Sequence, residues 1–237
     1  MKLNNRELYE LFEEKGVIKL FHANTVATSI TFLEEGGLLS RGWIECNELY
    51  QTPQSSDDVD KLFDVFDDVF LDTADLHKYF SRQNHYGPVL FQFGLELLLD
   101  ESLEFWVTKD NPIYWAKNSE PSDNYFKNVS ELSRKWDAYE KQRKMLTIRK
   151  PKKPILFNYL EEIILDNPKV LIHDDVSLRK ESRRALKRAV SDNEELKSKL
   201  VWRECGHCFC TDNYLKQVPT SELAQKFLPL EHAKFEE

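Results

Sequence analysis

Apolar residues recur along the chain in two rhythms, and each rhythm predicts an element. Leu8, Leu11 and Phe12 stand three and four apart within Asn5 to Glu14, the spacing that lines one face of a helix. "VIKLFHA" (Val17 to Ala23) follows Gly16 and is rich in strand formers, which predicts a first strand. Asn24 or Thr25 then caps a helix whose stripe is Val26, Ile30 and Leu33, and Gly36-Gly37 stops it. The polar excursion from Arg41 to Asp68 holds a loop around "TPQSS" and a short acidic helix from Asp57 to Phe66. So long an insertion directly after the first helix is a common way to cover a site, with Gln51, Gln54 and Ser55 as polar contacts; an ordinary surface loop is the plainer reading.

Further on, Val69 to Leu71 predicts a strand that turns into a helix within "TADLHKYF". The near-continuous run Val89, Leu90, Phe91 and Phe93 makes Gly87 to Leu99 the clearest strand, and "EFWVT" and "PIYWA" predict two short ones. Ser130 to Leu146 reads as a helix with Leu132, Trp136 and Tyr139 on one side, capped at Asn128 or Ser130. After the basic, proline-bounded loop "TIRKPKKP", strands are predicted at Ile155 to Leu165 and Lys169 to His173, around the turn "DNP". Ser177 to Leu200 is helical with a break near Ser191-Asp192, and "TSELAQKFL" predicts a last helix. The order of elements is that of an α+β protein.

Composition sharpens this picture at three points. With 237 residues, 41% hydrophobic content, 15 Phe, 9 Tyr and 5 Trp, the chain has the apolar area for a real core, which excludes a disordered class. No window approaches a membrane span and "MKLNNRELYELFEEKG" lacks a signal-peptide apolar region, so a cytoplasmic protein with no membrane partner is expected. The net charge of −8 conceals an asymmetry: Lys141 to Arg188 carries 14 Lys and Arg against six Asp and Glu, a local balance of +8. That leaves room for a localised polyanion site, although charge runs are more commonly solvated helix faces.

Three segments carry the chemistry: "LFHANTVATSITFLEEGGLLSRG", "VFLDTADLHKYF" and "FNYLEEIILDNPKVLI". Strand-His-turn-helix-Gly, strand-turn-helix, and a late strand with an acidic pair together resemble the ADP-ribosyltransferases. The "H-x-N" before "GLLS" and the Glu followed by apolar residues at Glu162-Ile163-Ile164-Leu165 are most similar to the DarT-type enzymes that modify DNA bases. The resemblance implies a split β-sheet core with flanking helices over residues 1–175 and a helical C-terminal extension over residues 176–237 packed on it. It implies NAD as co-substrate. His22 would hold a ribose, Asn24 would fix the turn beside the nicotinamide, and Glu162 would be the catalytic acid. Arg41 stands closest to where that family places an essential arginine. Asp72-Thr73 occupies the second strand's Ser or Tyr position, with Thr73 facing the cofactor and Tyr86 or Tyr79 supplying an aromatic face; "NHYGP" would bring His85 to the same cleft.

The residues support that reading on their own chemistry. Cleaving the glycosidic bond of NAD develops positive charge on a ribose, and a desolvated carboxylate stabilises it. Glu162, set among Leu160, Ile163 and Ile164, fits that need, although strand alternation also allows Glu161 or Glu162 to point to solvent, and the pair leaves open which of the two is the acid. His22 has a plainer reading as a core histidine bonded to backbone. If the enzyme reading holds, His22 and Glu162 line one cleft.

Arg149, Lys150, Lys152 and Lys153 lie just before the late strand, where the family places its acceptor-recognition loop, and four cations favour a phosphate backbone. A nucleic-acid acceptor is therefore expected, with a protein acceptor as the alternative and a protein antitoxin or regulator as a further partner in a toxin or phage-defence setting. "RECGHCFC" offers Cys205, His207, Cys208 and Cys210, but no second ligand pair follows in the chain, so no metal is expected there. Two other readings remain: a glycosylase or nuclease acting on nucleic acid without NAD, and a non-catalytic binding module on the same fold.

Overall fold

The computed structural model describes residues 1–139 and 144–236. Its strands are β1 (Lys19–Asn24), β2 (Gly37–Leu38), β3 (Val69–Leu71), β4 (Val89–Gly94), β5 (Phe105–Val107), β6 (Leu146–Ile148), β7 (Ile155–Leu156), β8 (Leu160–Asn167), β9 (Leu171–Ile172), β10 (Val176–Ser177) and β11 (Leu200–Glu204). The helices are α1 (Asn5–Glu14), α2 (Val26–Glu34), α3 (Arg41–Cys46), α4 (Asp57–Leu62), α5 (Leu76–Phe80), α6 (Pro121–Asn124), α7 (Val129–Arg134), α8 (Leu178–Ala189), α9 (Glu194–Ser198), α10 (Cys210–Gln217) and α11 (Thr220–Phe227). The fold is mixed α+β, as the pattern predicts.

A four-stranded sheet in the order β1-β4-β8-β11 forms the centre. β4 is antiparallel to both neighbours and β11 runs parallel to β8. The unbroken apolar run of β4 has a physical cause, because both faces of this central strand are covered. Val89, Phe91 and Phe93 join the main core with Leu20, Phe32 and Ile163, while Leu90 packs on the other face with Ala23 and Ile164. A second sheet, β3-β6-β5, meets the first at one bridge, Phe21 to Asp72, and the strands part on either side of it. Two short pairs, β2–β7 and β10–β9, complete the strand pairing among the described residues.

Local chemistry explains the boundaries. Thr25 caps α2 by accepting from the Thr28 amide, and Gly36, at φ +73°, takes the left-handed conformation that ends the helix cheaply. The elements at "PIYWA" and Ser130–Leu146 differ from prediction. Asn111 caps Ile113 and Pro112 opens a 3-10 turn, so "PIYWA" makes no strand. The expected long helix is α7 followed by a 3-10 turn at Trp136–Ala138. Its predicted continuation through residues 140–143 lies outside the described residues, and Leu146 is already extended in β6, held between β3 and β5. Gly87–Leu99 is a strand only to Gly94, where a 3-10 turn takes over. The C-terminal segment breaks between α8 and α9 as expected and also contributes β11, an edge strand of the central sheet.

Candidate active site

Where β1 and β3 part, the side chain of His22 fills the gap. Its Nδ1–H donates to the Phe70 carbonyl oxygen at 2.8 Å. A carbonyl can only accept, so this bond places the ring proton on Nδ1 and leaves Nε2 bare. Burial, together with the nearby Arg41 charge, holds the imidazole below its usual range despite the carbonyl's opposing pull. The ring is therefore neutral, and its buried Nε2 has no partner.

Nε2 faces a cavity of about 750 Å³, a size that takes a dinucleotide-sized ligand. β1 and the start of α2 supply His22, Asn24 and Thr25, and the excursion after α2 supplies Arg41 together with Gln51, Thr52, Gln54 and Ser55. Arg41 is fixed by Asp57, with Nη2 donating to Oδ2 at 2.8 Å, and by the Thr52 carbonyl at 3.2 Å. Its Nη1 is buried without a partner, as is Oε1 of Gln51, whose Nε2 donates to the Arg41 carbonyl. Each buried polar atom left without a bond costs about 1–3 kcal/mol, so an acceptor, a cationic donor and a second acceptor on residues that line one cavity mark a place for a polar ligand.

The other wall carries acid and aromatic groups. Asp72 follows β3 and lines the cavity; burial pushes its carboxyl up to about 7, and no side-chain hydrogen bond to it occurs among the described residues. Asp60 is pushed up to about 6, mainly by burial. The Tyr86 hydroxyl accepts from Asn111 Nδ2 at 3.0 Å, which sets the ring against the same space, beside His85.

Of the residues expected at the site, His22, Asn24, Arg41 and Tyr86 line this cavity together. Asn24 also braces its own turn, with Oδ1 accepting from the Thr25 amide at 2.9 Å. Thr73 is buried but lies off the cavity wall, and Tyr79 is exposed. Glu162 does not join them. Residues directly opposite one another across strands share a face: His22 pairs with Phe91 and Phe91 with Ile163, whereas Phe21 pairs with Gln92 and Gln92 with Glu162. His22 and Glu162 thus project from opposite faces of the sheet, and the expected shared cleft is not formed. A register shift between Gln92 and Phe93 turns out Glu161, which is exposed and pairs with Lys19. The carboxylate in the cavity is Asp72. Its bridge to Phe21 puts it on the face of Glu162 and not that of His22, so position along the sheet and not the face separates the two acids: Asp72 stands at the edge where β1 and β3 part and lines the cavity, three strands or roughly 14 Å by strand spacing from Glu162, which does not line it. Its signal in the sequence is only a polar residue ending an apolar strand.

The basic loop is divided in its commitments. Arg149 Nη1 donates to the buried Asp68 at 2.5 Å, and Lys150 pairs with Asp64 at 2.6 Å. Lys152 and Lys153 are exposed, with no ion pair among the described residues. His207 is exposed, while the three neighbouring cysteines gather away from the cavity.

No family model matches the chain, and no curated protein matches it. Solved structures similar to it include the DarT of Thermus sp. 2.9 in three complexes. With NAD+ it is 14% identical, covering 79% of this chain and 96% of that one, at a TM-score of 0.45. With carba-NAD+ the figures are 13%, 78%, 95% and 0.44. With ADP-ribosylated ssDNA they are 14%, 79%, 95% and 0.43.

Proposed function

We propose that this protein is an NAD-consuming ADP-ribosyltransferase-like enzyme with a nucleic-acid acceptor. The reading is carried by one conjunction: the bare Nε2 of His22, the unpartnered Nη1 of Arg41 and the Asp72 carboxylate in a single cavity. NAD, when bound, supplies a glycosidic bond whose cleavage sends the bonding pair to nicotinamide and leaves positive charge on the ribose. Nε2 of His22 accepts from a ribose hydroxyl, as a neutral, Nδ1-protonated ring can. Arg41 Nη1 meets an anionic oxygen of the diphosphate. Tyr86, held by Asn111, offers a ring face to the nicotinamide. Asp72 takes the role expected of Glu162. Its ionised carboxylate opposes the positive charge that develops on the ribose, an interaction stronger in the transition state than in the ground state. The acceptor bonds to the ribose carbon and its proton passes to solvent.

Lys152 and Lys153 are the loop cations available to an acceptor phosphate, which reduces the expected four-cation contact to two. A cytoplasmic toxin or phage-defence role, with a protein antitoxin or regulator, belongs to the same reading and rests on the motif resemblance. Among the described residues no helix is long and apolar enough to cross a membrane.

The test is nicotinamide release from NAD in the presence of single-stranded DNA. Wild type should release it, Asp72→Asn should lose about 10²–10³-fold in kcat, and Glu162→Gln should stay within a few-fold of wild type. The reverse ranking would return the catalytic role to Glu162. Strand breaks or free base without NAD would instead establish the glycosylase or nuclease reading.

A further inference from the structure

Away from the cavity, a second histidine meets three sulfurs that the sequence gives no reason to expect beside it. His77, in the first turn of α5, presents Nε2 to Cys208 Sγ at 3.3 Å and to Cys205 Sγ at 3.7 Å. Cys208 Sγ lies 3.0 Å from Cys210 Sγ, and the four ligand atoms all fall within 4.8 Å of one another. None of the cysteines is in a disulfide.

The geometry points to a structural zinc site: we propose that His77, Cys205, Cys208 and Cys210 hold one Zn²⁺ in a closed tetrahedron. Zinc bound at about 2.3 Å to sulfur and about 2.0 Å to nitrogen sets tetrahedral edges of roughly 3.5–3.8 Å, and the observed separations bracket that range. Three thiolates and one imidazole are the soft donor set zinc takes, and no oxygen ligand competes as magnesium or calcium would require. The imidazole is already turned for the task. Its Nδ1–H donates to Asp166 Oδ2 at 2.7 Å, which directs the Nε2 lone pair at the sulfurs, and Asp166 is held in turn by Arg203 Nε at 2.5 Å. A carboxylate behind a metal-binding histidine is the usual means of fixing such a ring. Three of the four side chains are buried and Cys208 is half-buried, so no open coordination position faces solvent and the role is structural. Binding displaces three thiol protons and leaves the imidazole neutral.

The expectation of no metal rested on the lack of a second ligand pair in the sequence. The fourth ligand is a single histidine 128 residues from Cys205, and His207, inside the cysteine run, is exposed and excluded. The ion would clamp α5, just after Asp72, to the segment between β11 and α10, beside the Phe209 amide's 2.7 Å bond to the Ser81 carbonyl.

The experiment is metal analysis of the full chain purified under reducing conditions after growth with added zinc. One zinc per chain is expected, released by a thiol-blocking mercurial, and its removal by a chelator should lower Tm by roughly 10 °C or more. His77→Ala and Cys208→Ser should lose the metal, while His207→Ala keeps it. Should the ligand variants fail to fold, cobalt-substituted wild type must show the visible bands of a tetrahedral thiolate centre. The proposal is overturned by wild type holding below about 0.1 zinc per chain after reconstitution, by mass spectrometry showing a Cys208–Cys210 disulfide in its place, or by His207→Ala losing the metal.

Discussion

His22 and His77 are built alike and serve different chemistry. Each ring is locked by an Nδ1–H donated to an oxygen, the Phe70 carbonyl in one case and the Asp166 carboxylate in the other, and each presents Nε2. The Nε2 of His22 looks into a cavity among other unpartnered polar atoms, where only an incoming donor can meet it. The Nε2 of His77 looks at three sulfurs which, as thiolates, would share its need for a cation. A histidine's role is thus decided less by its own environment than by what its free nitrogen faces. In the roles proposed for them, the first site is open to a substrate, whereas the second closes around a metal and belongs to the fold.

The largest effect should come from crossing the two sites. His22→Ala is expected to lower kcat/KM for NAD by about 10²–10³-fold, since the ribose then loses the group that orients it. Its metal content and chelator-sensitive Tm should match wild type. If His22→Ala also empties the metal site, the two regions are not separate units and the comparison fails.

The two histidines also differ in how legible they were. His22 sits inside a contiguous strand-turn-helix pattern, so its place at a strand end beside a capped helix followed from local spacing. His77 lies in a five-residue helix and acquires its neighbours only when β11 adds itself to the sheet edge beside β8. Nothing in the spacing of "LHKYF" and "CGHCFC" brings them together. Glu162, which does not line the cavity, was hard to place for a different reason. Its apolar neighbours Ile163 and Ile164 suggested burial, but in a strand covered on both faces apolar residues surround every position, and only the register shift at Gln92/Phe93 decides which way an acid points. The element order and most strand positions could be read from periodicity, while side-chain direction at the sheet's irregular end could not.

A smaller effect distinguishes the open site by pH. The folded-state pKa of Asp72, about 7, lies above the ordinary value of 3.8, so the folded protein holds the extra proton between those limits. Stability attributable to this group is therefore present below about pH 4 and declines as pH rises towards 7. The full shift corresponds to at most about 4 kcal/mol, and water in the cavity should reduce it to on the order of 2 kcal/mol. Asp72→Asn should raise Tm by about 4–8 °C at pH 8 and leave it unchanged at pH 4. Activity should run the opposite way, rising with pH as the carboxylate ionises. A thermal-melt series in which the variant keeps the wild-type pH slope would show that Asp72 carries no burial cost and weaken its catalytic assignment.

The same criterion, whether a charged group finds its partner inside the fold, divides the basic loop and gives the smallest expected effect. Arg149 is held against the buried Asp68 and over the Trp106 ring at 5.0 Å, so it behaves like the closed site. Lys152 and Lys153 behave like the open one, exposed beyond the end of β6. Replacing these two lysines by Ser should leave Tm and nicotinamide release into water unchanged. Single-stranded DNA binding should weaken a few-fold, and the slope of log K against log salt should fall by about 0.7 for each lysine that had met a phosphate. Arg149→Ser should instead lower Tm, because the Asp68 carboxyl, already pushed up to about 7 by burial, loses the cation that opposes that rise and must take up a proton. An unchanged salt slope in the double-lysine variant, measured by fluorescence anisotropy across a salt series, would place the acceptor on another surface. The basic face of α8, where Arg179, Arg183 and Lys187 stand one turn apart, would be the next to test.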